Sequence, residues 1–105
     1  MSRTLVRSKR TAIRHRVVWR HITCRLLHTR DYLEPGWTQL EIVVVTPKDA
    51  PLPITEPGYL AHYLSEDELV AAGGAVAFVT TWLDREATTK RYAEAESRWR
   101  QLPLF

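Results

Sequence analysis

The sequence predicts an α+β domain in which a long β-hairpin, a small antiparallel sheet, is packed by two C-terminal helices in the order β-β-α-α. Three observations lead there. A run of near-alternating polarity crosses 17–29, and a stronger one spans "WTQLEIVVVT" at 37–46. From Ser65 onward the signals are helical. A chain of 105 residues, 45% apolar and 26% charged, has room for one domain with a modest core. Residues 1–13 have no clear period and read as a basic, flexible N-terminal tail. Residues 14–100 read as the single domain, and 101–105 as a C-terminal tail.

In the first strand, Val18, Ile22, Cys24 and Leu26 fall on one face, with Trp19, His21, Thr23 and Arg25 on the other. A helix competes for this stretch, because Ile13, Val17 and Val18 also stand at helical offsets. "EPGW" at 34–37 is a turn, with Pro35 setting φ and Gly36 free to take a positive one. In the second strand Leu40, Ile42 and Val44 share a face, while Val43 and Val45 suggest burial on both sides. Such a hairpin needs a helix or more strands to be stable.

The segment "PKDAPLPITEPG" at 47–58 carries four of the six prolines and reads as a rigid, extended surface connection. "GYLAHYL" follows as a turn or short helical piece. Ser65 is then an N-cap with Glu68 as its capping-box partner, and Gly73-Gly74 ends that helix. A longer helix is expected from Ala75 to Arg100. Val76, Val79, Leu83 and Ala87 form its apolar stripe, and Phe78, Trp82, Tyr92, Ala95 and Trp99 form an interrupted second row. Pro103 cannot continue it.

The net charge of +3 hides a division. Residues 1–30 hold nine basic residues and no acid, whereas residues 31–105 hold six basic and twelve acidic ones. This asymmetry points to a basic segment that contacts a polyanion, with Arg3, Arg7, Lys9, Arg10, Arg14, Arg16 and Arg20 as the nucleic-acid-binding candidates. A solvated basic strand is the bland alternative. A transit peptide is disfavoured, because the basic residues continue into a strand. One cysteine, Cys24, cannot form an internal disulfide, and no apolar run has the length of a membrane span, so a cytoplasmic location is expected.

No constellation for catalysis stands out. His21, Cys24 and His28 form H-x₂-C-x₃-H, but on one strand His21 faces away from the other two and no fourth ligand lies at finger spacing, so no metal is expected. Cys24 reads as a small core residue. His15 and His62 lack companions. The pairs Glu66/Glu68 and Asp84/Glu86 suit helix starts and solvated faces, and "AAGGAV" has neither the spacing nor the lysine of a phosphate loop. Trp19, Trp37 and Tyr32 lie near the basic hairpin as candidates for base stacking, although strand packing is the expected role for at least two of them. No enzymatic activity and no cofactor are expected.

The most specific feature is "QLPLF", Gln101 to Phe105. It resembles the pentapeptide by which bacterial proteins bind the DNA polymerase sliding clamp: Gln-Leu, a small or polar residue, Leu, Phe. The resemblance covers these five residues only. Four positions agree, and Pro103 departs at the tolerant middle one. It implies that Gln101 anchors the segment by hydrogen bonding at the rim of a clamp pocket. Leu104 and Phe105 would then be the buried pair, helped by Leu102. It further implies a small non-enzymatic bacterial protein, carried on a plasmid or phage, that docks on the clamp as a replication inhibitor, toxin or adaptor, its basic segment touching DNA. The alternative is a basic nucleic-acid-binding module whose C-terminal residues belong only to the core.

Overall fold

The computed structural model describes residues 12–101. The α+β class holds, with more strands than a hairpin: four strands form one antiparallel meander, β1 (Ala12–Trp19), β2 (Ile22–Arg30), β3 (Trp37–Thr46) and β4 (Tyr59–Ser65). Three helices follow, α1 (Glu66–Ala71), α2 (Ala75–Glu86) and α3 (Lys90–Arg100). Among the described residues no helix is long and apolar enough to cross a membrane.

The strand expected over 17–29 is two strands. The chain reverses at Arg20-His21, pairing Trp19 with Ile22 and Val17 with Cys24. Directly paired residues share a face, so the reversal changes the parity. Val17 and Trp19 are buried with Ile22, Cys24 and Leu26, while Val18 points to solvent at 61% exposure. No Asn-Gly or Asp-Gly marks this turn, and Arg20 itself takes the left-handed conformation (φ 56°). The Arg20 guanidinium lies over the Trp19 ring, 4.5 Å from its centroid, and this contact offsets part of the backbone cost. β1 begins at Ala12, inside the segment read as a tail.

β3 matches its expected bounds, and Thr38, Leu40 and Ile42 point into the core. Burial on both sides does not follow: Val43 is half-buried and Val45 is 46% exposed. The turn before β3 forms as expected, with Gly36 at φ 84° and its N–H donated to Asp31 Oδ1 at 3.0 Å.

"GYLAHYL" is a strand, not a helical piece. Residues Tyr59 to Ser65 pair with β3 from Val43 back to Trp37. The stretch at 47–58 is not a surface connection either. Ala50, Pro51, Leu52, Pro53 and Thr55 are buried, and Leu52 and Thr55 exchange backbone hydrogen bonds of 2.9 and 3.2 Å. Prolines suit such a tucked loop, because each leaves one fewer N–H to satisfy.

Ser65 caps α1 as its sequence predicts, accepting from the Glu68 N–H at 3.1 Å. The long helix over 75–100 is broken. Thr88 and Thr89 hydroxyls donate to the carbonyls of Arg85 and Glu86, and Thr89 Oγ1 accepts from Tyr92 N–H to start α3. Two adjacent threonines thus offer the backbone partners outside the helix. The break lets Tyr92 reach the Trp19 ring edge-on at 5.9 Å, while Arg91 and Arg98 tie α3 to Pro53 O and Glu56 of the loop.

All three helices and the loop lie on one side of the sheet, where Leu26, Leu40, Ile42, Val79 and Leu83 form the centre of the core. Leu26→Ala is therefore expected to cost about 2–5 kcal/mol, and Val45→Ala on the other side within about 0.5 kcal/mol of nothing. Urea unfolding of the two variants checks this; equal losses would mean that both faces are covered.

Candidate functional site

α3 ends at its C-cap Gln101, whose N–H is held by Arg98 O at 3.2 Å. Its side chain is exposed, and its Nε2 approaches Ser97 Oγ at 3.5 Å. Leu102, Leu104 and Phe105 lie outside the described residues. Two residues before Gln101, Trp99 stacks on His21 with centroids 6.4 Å apart. The β1–β2 turn is thereby fastened to the end of α3, which brings Arg20 to the same end of the molecule as Gln101.

The other basic candidates divide. Arg3, Arg7, Lys9 and Arg10 lie outside the described residues. Arg14 and Arg16 are exposed on the face of the sheet away from the helices, not beside Gln101. Arg25 joins them there as the register partner of Arg16. Arg25 was missed as a site residue because an unbroken strand leaves it alone; with the turn at 20–21 it becomes a pair. Of the stacking candidates, Trp19 is core and donates its Nε1–H to Asp84 Oδ1 at 2.8 Å. Trp37 and Tyr32 remain outside, both against Tyr63: Trp37 stacks at 5.2 Å and Tyr32 meets it edge-on at 6.3 Å. Tyr59 and Tyr63 were also missed. Their alternation with Ala61 is a strand signal hidden by the glycine-led start of the segment.

A polar cluster lies at the opposite, helix-facing side, where α1 meets the sheet. Glu66 accepts from the Thr38 hydroxyl, lies 3.3 Å from His28 Nε2 and pairs with Arg30 at 3.6 Å. Burial raises the Glu66 pKa, but the hydrogen bonds from Thr38 and His28 and the charges of His28 and Arg30 outweigh it, leaving the carboxyl below its usual range. Thr, Glu and His in contact suggest hydrolytic machinery. The geometry argues otherwise: Thr38 is fully buried and its hydroxyl donates its hydrogen bond to the glutamate, not the histidine. The cluster clamps α1 to β2 and β3.

Cys24 is buried, and burial pushes its thiol up to about 11, so it is protonated and unreactive near neutrality. His28 and Cys24 face the core while His21 is held by Trp99. Among the described residues no group of three His, Cys, Asp or Glu side chains is arranged to hold a metal ion.

Residues 12–93 match the family model of the KlcB third domain. The chain belongs to this family. The KlcB third-domain match runs from the first residue of β1 into the first turn of α3, so it takes in the whole sheet and stops before Gln101. No curated protein and no solved structure matches significantly.

The Glu66 clamp has a pH signature. Its folded pKa is depressed, so the stability it contributes is complete above the ordinary glutamate value of about 4.3 and drains away as pH falls through the folded pKa. Glu66→Gln is expected to lower the melting temperature at pH 7 and to flatten its decline below pH 4.3. A variant whose melting curve shifts equally at every pH would show that the charge is not what matters.

Proposed function

We propose that this is a small non-enzymatic bacterial protein that docks on the DNA polymerase sliding clamp through Gln101, Leu102, Leu104 and Phe105. The observation that carries the reading is the pentapeptide itself, supported by its first residue, Gln101, standing at the C-cap of α3 with its side chain exposed. Family membership supports a plasmid rather than a phage as its carrier. Occupying the clamp pocket excludes polymerases and repair factors that use it, so the protein acts as a replication inhibitor or toxin, or as an adaptor that brings a DNA-linked activity to the fork. It works in the cytoplasm, where the clamp is.

Burying Leu102, Leu104 and Phe105 yields about 1.5–3 kcal/mol each. Ordering the tail and losing translational freedom consume much of that. A roughly micromolar affinity remains, near −8 kcal/mol. The basic residues Arg3, Arg7, Lys9, Arg10, Arg14, Arg16 and Arg20 add a second, salt-sensitive contact with DNA threaded through the clamp.

A second reading is a nucleic-acid-binding module in which the C-terminal residues serve only the core, and it draws on the exposed arginines of the sheet. Capture by purified clamp separates the two. Gln101→Ala is expected to weaken capture about tenfold or more, and deletion of 101–105 to abolish it, with the melting temperature unchanged. Unfolding on deletion, or capture that survives it, would refute clamp docking. Replacing Arg3, Arg7, Lys9 and Arg10 with alanine should weaken DNA binding at low salt; no change there removes those four from the site.

A further inference from the structure

We infer that the helix-free face of the sheet is a binding surface for single-stranded DNA. The preference for DNA over RNA rests on the clamp reading; the surface itself does not.

The strand register builds this face in rows. One row runs Arg16, Arg25, Val43, Tyr59 across the four strands, and the next runs Arg14, Leu27, Glu41, Ala61. Tyr63 lies beyond them on β4, stacked with Trp37. Adjacent strands stand about 4.8 Å apart, so Arg25 and Tyr59 are separated by roughly 10 Å. The face therefore has a cationic half on β1 and β2 and an aromatic half on β3 and β4.

Two features ask for an anionic, base-bearing ligand. Arg16 stands directly opposite Arg25, a like-charge pairing that costs stability. Neither they nor Arg14 has an ion-pair partner among the described residues, and Glu41 is the one acid on this face of the strands. A groove of about 190 Å³ runs between Arg14, Arg25, Leu27, Glu41 and Val43, and one of about 480 Å³ borders Arg14, Arg16 and Arg25. Phosphates in these grooves neutralise the arginines. The second feature is apolar exposure. Val18, Trp37, Val45, Tyr59 and Tyr63, five of the eight large apolar side chains most open to solvent among the described residues, lie on this one face. Flat rings on an open sheet take stacked bases. A duplex keeps its bases stacked on one another, which leaves these rings nothing to receive. A second copy of the chain is the competing occupant, but face-to-face packing confines six arginines with two glutamates.

The test uses the full chain without clamp, so its outcome is independent of clamp capture. Binding of a fluorescein-labelled 20-nucleotide oligothymidine is followed by anisotropy. Arg16→Glu and Arg25→Glu are each expected to weaken binding at least tenfold, and Tyr59→Ala, at a side chain 52% exposed and so harmless to the fold, several-fold. Arg85→Glu on the helix side makes the same charge change and should leave affinity within twofold. The logarithm of affinity should fall against that of salt with a slope of about −2 or steeper, about three phosphate contacts on this face accounting for about −2 of it. Trp37 fluorescence should be quenched on binding. Equal losses for Arg85→Glu and Arg16→Glu, or no measurable binding, would overturn the inference. So would equal affinity for duplex DNA, or a concentration-dependent dimer abolished by Tyr59→Ala. Tighter binding to oligouridine would reassign the ligand to RNA.

Discussion

The structure depends on covering one side of a four-stranded meander with very little material. The helices are six, twelve and eleven residues long, lengths at which an isolated helix is marginal in water. They persist because Val79, Leu83, Tyr92 and Leu69 have an apolar floor in Leu26, Leu40 and Ile42. The dependence is mutual, since a bare sheet of this size has no other cover. The proline-rich loop fills what the helices leave, with Leu52 and Ala50 completing the core. Polar groups at the seams are satisfied in place: Trp19 by Asp84, and Thr38 and His28 by Glu66.

This one-sidedness decides what each strand position can be used for. Inward positions are held by packing density, where a lost methylene group is felt. Outward positions are released from that constraint, and their composition is informative for that reason. An ordinary solvated face mixes charges of both signs. Here arginines gather on two strands and aromatic rings on the other two. The buried Thr38–Glu66–His28 contact shows the reverse case. Groups that suggest chemistry are spent on fastening α1, because the buried Thr38 hydroxyl and His28 are both taken up by Glu66.

Much of the architecture was legible. The α+β class, the bounds of β3, the Gly36 turn, the Ser65 cap and the inward row of Ile22, Cys24 and Leu26 all follow from local signals that the fold respects. Two of the features that were not legible share a physical cause: a chain reversal and a helix break made without glycine, proline or asparagine. Arg20 takes a left-handed backbone against its steric preference, held by the Trp19 ring and the His21–Trp99 stack. Thr88-Thr89 breaks a helix through side-chain hydrogen bonds rather than through a helix breaker. In both places tertiary contacts override a weak local preference, and one missed turn was enough to place Val18 inside and Trp19 outside. The strand β4 was hidden differently, because "YLAHYL" serves either a strand or a helix until β3 is there to pair with it. Of the candidate residues, Gln101, Arg14, Arg16 and Arg20 could be placed, and only Arg20 joins Gln101. The pentapeptide needed no fold to be read, whereas the outer face could not be seen before the register was known.

The two proposed contacts differ in how they are attached, and that difference bears on how they would work together. The outer face has a fixed backbone: the positions of its arginines and rings are set by a ladder whose inner side is core. Gln101, the first residue of the pentapeptide, is the C-cap of α3, which is anchored to the β1–β2 turn by Trp99 on His21 and to the 47–58 loop by Arg91 on Pro53 and Arg98 on Glu56. Those anchors make the end of α3 part of the same body as the sheet. On the two proposals taken together, a clamp holding Gln101 and a strand lying on the outer face would be joined through that one body. Effective concentration is greatest when the link matches the span between two sites and vanishes when it cannot reach. Such a joint would make the proposed pair selective: both contacts would form together only where a single strand emerges at a suitable distance and orientation from the clamp's pocket. On naked DNA or on free clamp each proposed contact would stand alone and stay weak.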